Sequence, residues 1–125
     1  MRALLLVDHG SRRQAANAQL EKIAALVRER WEQGPVLIAH MELAQPSIDE
    51  AFAQCQQRGV RTVVVVPYFL TPGRHAQNDI PALVAAAADK HQVDHLVADV
   101  LGVDPLLAEL VHLRATQALP PERDP

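Results

Sequence analysis

Short apolar runs alternate with helical patterns along the chain. The runs predict four β-strands, over residues 3–7, 36–41, 62–66 and 95–100. Between and after them, apolar residues recur at spacings of three and four, which is typical of helices that bury one face. The patterns predict helices over about 16–31, between Ser47 and Gly59, and over about 80–90 and 105–119. Four successive strand–helix units predict an α/β domain, with a four-stranded parallel sheet and helices on both faces.

Local signals set several of these boundaries. Ser47 and Glu50 have the spacing of a capping box, in which each side chain bonds a free backbone N–H at the start of a helix. Gly59 is suited to end that helix, and Pro81 suits the first turn of the next one. The third apolar run is β-branched throughout and does not alternate. Such a run predicts a strand that is covered on both faces.

The length of the chain predicts a single domain. Its 125 residues fall within the usual range for one compact unit, and no internal repeat or low-complexity linker divides them. We assign residues 1–119 to one α/β domain. Residues 120–125 are rich in proline and charge and have nothing to bury, so we expect a disordered tail.

Charge and cysteine content exclude several classes of protein. Twelve Lys and Arg against 15 Asp and Glu give a formal net charge of −3, which argues against a nucleic-acid partner. No apolar run approaches the roughly 20 residues of a membrane span, so we expect no membrane association. The first run is too short for a signal-peptide core, and the single Cys55 cannot form an internal disulfide. These features predict a soluble, cytoplasmic protein.

Polar residues follow the end of each predicted strand. In parallel sheets ligands bind at the carboxyl edge, where the loops after the strands converge. Residues that follow the four strands in turn include Asp8, His9, Ser11, Arg12 and Arg13; Glu42; Tyr68, Arg74, His75 and Asp79; and Gly102 and Asp104. Two histidines and a glutamate therefore reach one edge from three different strands.

This combination suits a divalent transition metal. Two imidazoles and a carboxylate can hold such an ion while leaving positions open for exchange. Arginines at the same edge suit a ligand with carboxylates or phosphates. The residues themselves leave other interpretations open, since His9 can simply shape a turn, and Glu42 and the arginines can be solvated charges. His40, inside a strand, fits a core histidine with a hydrogen-bond partner, and Cys55 fits a packing residue.

Four segments carry a resemblance to a known family. They are LLLVDHGSR at 4–12, MELAQPSI at 41–48, VVPYFLTPGRH at 65–75 with DIP at 79–81, and LGVDPLL at 101–107. Together they resemble the small sirohydrochlorin cobaltochelatase and ferrochelatase family, the single-half form of the class II chelatases. The resemblance runs from Leu4 to about Arg114. It implies that the α/β domain is a chelatase-like half domain. Many members have a small residue at the position of Asp8.

The resemblance also implies an activity. It implies a lyase that inserts a divalent metal, Co²⁺ above all, with Fe²⁺ or Ni²⁺ as alternatives, into a sirohydrochlorin-type tetrapyrrole for cobalamin or siroheme synthesis. His9 and His75 match the family's metal ligands, and with Glu42 they form the implied catalytic set. Ser11, Arg12, Arg13 and Arg74 would contact the substrate. No cofactor is expected beyond the substrate metal, and members of this length pair as homodimers.

Two other functions stay open from the sequence. One is a non-catalytic carrier of metal or tetrapyrrole that keeps the half-chelatase fold. The other is a phosphoryl-transfer enzyme that uses His9 in its His-Gly turn. Such enzymes normally have an arginine directly before that histidine, whereas this chain has Asp8.

Overall fold

A computed structural model describes residues 1–74 and 78–121. Strands and helices alternate along the whole chain. The strands are β1 (Arg2–Asp8), β2 (Val36–His40), β3 (Thr62–Pro67) and β4 (Asp94–Val97). The helices are α1 (Gln14–Arg28), α2 (Ile48–Gln57), α3 (Ile80–His91) and α4 (Pro105–Ala118). All strand pairs are parallel, in the order β2-β1-β3-β4, so the predicted fold class is confirmed.

The core lies on both faces of the sheet. β1 is central and pairs with β2 on one side and β3 on the other, so residues 3–7 are all buried. One face packs Leu4 and Leu6 against Leu20 and Ala24 of α1. The other face packs against α2 and α3, with Phe52 fully buried at its centre. Connections between parallel strands are right-handed. The chain moves across the sheet in one direction from β1 to β2 and in the other direction from β2 to β3 and β4, so the helices in these connections lie on opposite faces.

The predicted start of α2 is confirmed in atomic detail. Ser47 Oγ accepts a hydrogen bond from the Glu50 N–H at 3.1 Å, and Glu50 Oε1 accepts one from the Ser47 N–H at 2.9 Å. The helix ends at Gln57, and Gly59 follows in the left-handed region with φ +74°. A residue without a Cβ takes up that conformation at little cost.

Two predictions about strands were wrong in part. β4 ends at Val97 rather than at residue 100, because its register with β3 runs out at Val65 and one more bond, from Ala98 N–H to Val65 O, closes the pairing. In β3 only alternate residues are fully buried; Val64 and Val66 stay partly exposed on the α1 side. The β-branched run therefore agrees with the position of β3 between two other strands, but only one face of β3 is fully covered by helices.

The helices differ from prediction chiefly at their ends. α1 begins two residues earlier than expected and ends at Arg28, with turns over residues 29 and 30. Residues 122–125 of the predicted tail lie outside the described residues. Within residues 1–74 and 78–121, no helix is long and apolar enough to cross a membrane.

A polar contact joins α2 to α3 at the surface. His91 Nε2 donates to Asp49 Oδ1 at 3.0 Å, and Lys90 Nζ lies 3.3 Å from Asp49 Oδ2. The bond from His91, with help from Lys90, lowers the pKa of Asp49. The ionised carboxylate therefore stabilises the folded chain above the unfolded-state pKa, about 3.9. This contribution is lost as the pH falls through the lower folded-state pKa.

Replacing Asp49 should consequently destabilise the protein in a pH-dependent way. We expect Asp49→Asn to lower the melting temperature at pH 7, and the difference from the unsubstituted protein to shrink as the pH falls below about 4. Thermal unfolding followed by circular dichroism between pH 3 and pH 7 measures this. Asp89→Asn, on an exposed aspartate of α3, is the control. A pH-independent difference would show that Asp49 acts through something other than its charge.

Candidate active site

The pairing of β1 with β2 continues beyond the ends of both strands. Met41 N–H donates to Asp8 O at 2.9 Å, and Glu42 N–H donates to His9 O at 3.1 Å. These bonds place the two side chains beside each other at the carboxyl edge of the sheet, with His9 Nε2 3.3 Å from Glu42 Oε1. Both side chains are about half exposed, at 41% and 54%. The predicted convergence of His9 and Glu42 is therefore observed.

Gly10 lets the two loops approach closely. It has φ +93°, and a Cβ at this position would lie 1.8 Å from the carbonyl oxygen of Glu42. No other residue fits there without separating the loops. The glycine of the His-Gly-Ser turn thus sets the distance between His9 and Glu42.

His9 is oriented in a way that suits metal binding. Its Nδ1 lies 3.3 Å from the carbonyl oxygen of Gly10, and a carbonyl can only accept a hydrogen bond. In the tautomer that donates this bond from Nδ1, the lone pair lies on Nε2, the nitrogen that faces Glu42. Histidines that bind a metal through one ring nitrogen commonly donate a hydrogen bond from the other to a carbonyl oxygen.

A hydrogen bond between a buried histidine and an aspartate lies directly beneath this turn. His40, 1% exposed, donates through Nδ1 to Asp8 Oδ1 at 2.6 Å. The two residues are register partners in β1 and β2. The interpretation of His40 as a core histidine with a partner is confirmed. The extra charge of Asp8 beside His9 is thus bonded to His40. Asp8 and His40 each stand at the carboxyl end of a predicted strand. If the two strands are adjacent and parallel, their last residues lie side by side, and this could have revealed the pair from the sequence.

Ser11 is engaged in the turn that leads to α1. Its Oγ accepts from the Arg13 N–H at 3.0 Å. Its backbone N–H donates to Asn17 Oδ1 at 2.9 Å, and its carbonyl accepts from Asn17 Nδ2 at 2.7 Å. Sequence reasoning missed Asn17, which fixes the turn from within the first helix. Arg12 and Arg13 are exposed at the start of α1.

The loop after β3 supplies the remaining predicted residues. Tyr68 N–H donates to Val7 O at 2.7 Å, which ties the start of this loop to β1. Arg74, seven residues after the end of β3, is exposed. His75 lies outside the described residues, together with residues 76 and 77. Within residues 1–74 and 78–121, no three His, Cys, Asp or Glu side chains form a metal-ligand group.

Two exposed leucines border the same edge of the sheet. Leu43, 54% exposed, directly follows Glu42, and Leu70, 63% exposed, lies in the loop after β3. Leu43 has φ +68°, a strained conformation for a residue with a branched side chain. Strain of this kind persists only where the surroundings impose it, and it concentrates at functional sites.

Of two depressions on the surface, one lies beside the carboxyl edge of the sheet and the other lies away from it. One of about 410 Å³ opens beside the loop after β3, between prolines 67, 72 and 81 and the segment 97–100. A larger one, about 730 Å³, lies against α3 and the start of β4 and contains none of the predicted residues. We place the site at the carboxyl edge, because the polar side chains that could do chemistry converge there.

Comparison with known proteins identifies the family. The family model described as CbiX matches residues 3–118. The chain belongs to the CbiX family. Among its relatives, the chloroplastic sirohydrochlorin ferrochelatase of Arabidopsis thaliana is 44% identical over 117 residues, covering 93% of this chain and 52% of that protein. This chain thus spans about half the length of the Arabidopsis relative.

CbiX relatives of similar length also exist. The sirohydrochlorin cobaltochelatase of Methanopyrus kandleri is 34% identical over 140 residues, covering 95% of this chain and 98% of that protein. Among solved structures, the sirohydrochlorin chelatase SirB of Bacillus subtilis subspecies spizizenii, in complex with cobalt, superposes with a TM-score of 0.86. It is 27% identical, and the match covers 94% of this chain and 50% of that one. These CbiX relatives support the prediction of a metal chelatase.

The buried pair beneath the His9 turn should contribute to stability. We expect Asp8→Ala to lower the free energy of unfolding by about 1–3 kcal/mol, because it leaves a buried imidazole N–H without an acceptor. Asp8→Asn keeps an oxygen acceptor at the same place and should lose less. Urea unfolding at pH 7 measures both variants. Equal losses in the two would show that the hydrogen bond to His40 is not the source of the effect.

Proposed function

We propose that this protein inserts a divalent metal, Co²⁺, into a sirohydrochlorin-type tetrapyrrole. The observation that carries the proposal is the separation of His9 Nε2 from Glu42 Oε1, 3.3 Å. Two donor atoms that bind one ion at about 2.1 Å lie about 3.0–3.4 Å apart in octahedral or tetrahedral geometry. A single metal ion therefore fits between this pair, and membership of the CbiX family supports the same chemistry.

The metal needs further donors, and open positions as well. In our proposal His75 supplies the third donor, from the loop after β3. Nitrogen and oxygen donors bind Co²⁺ while leaving it able to exchange. The remaining positions then accept the pyrrole nitrogens of the substrate.

Insertion exchanges one dication for two pyrrole N–H protons. In our proposal His9 and His75 accept these protons as the ion passes from them to the ring. Glu42 offsets the charge of the metal or takes up a proton as the ion leaves. No cofactor beyond the substrate metal enters this scheme.

The edge of the sheet offers both polar and apolar contacts to such a substrate. Sirohydrochlorin carries eight carboxylates around a flat macrocycle. Arg12, Arg13 and Arg74 are exposed at this edge and suit the carboxylates. Leu43 and Leu70 suit the apolar plane of the ring. We assign Ser11 to shaping the turn that presents the arginines, rather than to a direct contact.

We choose Co²⁺ because a relative that this chain matches over nearly its whole length is a cobaltochelatase. The Methanopyrus cobaltochelatase is covered at 98%, whereas the Arabidopsis ferrochelatase is covered at 52%. Nitrogen and carboxylate donors also accept Fe²⁺ and Ni²⁺, so the donor set alone does not select the ion. We further propose that the working form is a homodimer.

Loss of either histidine should abolish insertion. We expect His9→Ala and His75→Ala each to reduce the rate of Co²⁺ insertion into sirohydrochlorin at least 100-fold, roughly the effect of losing one catalytic group. The visible absorption spectrum of the pigment follows the reaction against the uncatalysed rate. Repeating the assay with Fe²⁺ and Ni²⁺ ranks the metals.

His95→Ala is the matched control, because His95 is exposed near the opposite end of the sheet. It should retain the full rate. Full activity in His75→Ala would remove that residue from the mechanism. Binding of pigment or Co²⁺ with no insertion above background would identify a carrier instead.

Loss of a proposed anchoring arginine should weaken substrate binding. We expect Arg74→Ala to raise the KM for sirohydrochlorin about two- to fivefold with little change in kcat, since an exposed ion pair contributes about 0.2–1 kcal/mol. The effect should diminish as salt screens the charges. Arg61→Ala, on an exposed arginine at the amino end of β3, is the control. An equal KM in the two variants would exclude Arg74 as an anchor.

A further inference from the structure

His40 links the two loops that meet at the candidate site. On the side of the His9 turn, its Nδ1 donates to Asp8 Oδ1 at 2.6 Å, and Asp8 directly precedes His9. On the side of the other loop, its backbone N–H donates to Pro46 O at 2.8 Å, which closes the loop that carries Glu42. A single residue therefore makes a polar contact with each of the two loops.

The surroundings of His40 leave its ring little freedom. The residue is 1% exposed. Gly10, in the turn above it, comes so close that a Cβ built on the glycine would lie 3.3 Å from His40 Cβ. Asp8 is its register partner in the neighbouring strand, so the bond between the two side chains joins the end of β1 to the end of β2. This bond therefore fixes the position of one strand end relative to the other.

Stability alone gives no reason for a polar pair at this position. A hydrogen bond between two side chains contributes little net free energy, because both partners give up bonds to water when the chain folds. Two apolar side chains of the same outline would serve the fold about equally well. The preceding residues of both strands are apolar: Leu6, Val7, Ile38 and Ala39. What a directed bond adds to apolar packing is a defined geometry between the two strand ends.

We propose that Asp8 and His40 are positioning residues, whose hydrogen bond sets the separation of the two donor groups in the candidate site. Asp8 directly precedes His9, so a shift of the strand end moves that imidazole. His40 lies two residues before Glu42 and moves the carboxylate in the same way. The inference rests on the metal site proposed above, where these donors lie 3.3 Å apart, and it adds the residues that hold this separation.

An apolar replacement of the whole pair separates positioning from stability. Leucine has the same branched outline as aspartate and fills much of the volume of histidine. The double variant Asp8→Leu with His40→Leu should therefore keep a free energy of unfolding in urea close to that of the unsubstituted protein. We expect its Kd for Co²⁺, measured by isothermal titration calorimetry, to rise roughly 10- to 100-fold. Cys55 does not compete for the ion, because burial raises the pKa of its thiol to about 11.

Two single variants test the hydrogen bond itself. His40→Asn places an amide N–H close to the position of Nδ1, whereas His40→Leu has the same outline without a donor. Both leave the same cavity, so the bond to Asp8 is what distinguishes them. The Kd for Co²⁺ should be roughly tenfold lower in His40→Asn than in His40→Leu. His91→Leu is the control, because it removes another histidine–aspartate bond, the one to Asp49 at 3.0 Å between α2 and α3, and should leave the Kd unchanged.

Hydrogen exchange reports on the two loops without any metal. The N–H groups of Met41 and Glu42 are bonded to the carbonyls of Asp8 and His9. We expect both amides to exchange roughly tenfold faster or more in the double variant, followed by NMR on the metal-free protein. Unchanged exchange would overturn the inference. So would an unchanged Kd in the double variant, or equal Kd values for His40→Asn and His40→Leu, where the unsubstituted protein binds Co²⁺.

The same measurements keep this inference separate from the proposed function. Faster exchange in the double variant, combined with no Co²⁺ binding by the unsubstituted protein, would overturn the metal site and support the positioning of the loops. Binding of Co²⁺ by the unsubstituted protein, with neither exchange nor Kd changed by the double variant, would overturn the positioning role and leave the metal site in place.

Discussion

The extended pairing between β1 and β2 is the interaction on which the candidate site depends. Two backbone bonds past the strand ends bring the His9 turn against the Glu42 loop. Both side chains are about half exposed, so the backbone bonds between these segments set how closely the two side chains approach. Gly10 removes the one steric obstacle to this approach, and the buried pair of Asp8 and His40 braces it from below. The backbone of the two loops therefore fixes the relative position of two side chains that are each about half exposed.

Most of the fold could be predicted from the sequence, because its signals are local. The capping box at Ser47 and Glu50 involves residues three apart, so the pattern alone defines the start of α2. The end of β4 could not be predicted in this way. Its apolar run continues to residue 100, but its pairing with β3 stops at Val65, two residues before β3 itself ends. The length of a strand depends on its pairing with the neighbouring strand, which its own residues do not record.

In the candidate site, too, some features could be predicted from the sequence, whereas others depend on contacts between distant parts of the chain. The convergence of His9 and Glu42 followed from the rule that loops after parallel strands meet at one edge. The partner of His40 and the role of Asn17 depended on register and on a turn that doubles back to α1. The resemblance implied a substrate contact for Ser11, whose hydroxyl oxygen accepts a bond within the turn and keeps its O–H to donate. Residue type indicates which chemistry is possible, whereas the hydrogen-bond partners decide which groups remain available for it.

The burial of Cys55 has a consequence for how metal ions move on this protein. It is the only cysteine of the chain, and its raised pKa keeps it a neutral thiol at neutral pH. Thiolates bind soft and borderline metals tightly and release them slowly, while imidazole and carboxylate donors bind them less firmly. An ion bound at the edge of the sheet, as proposed above, would therefore meet no thiolate of this chain. Imidazole and carboxylate donors would hold it, which would favour rapid transfer over storage.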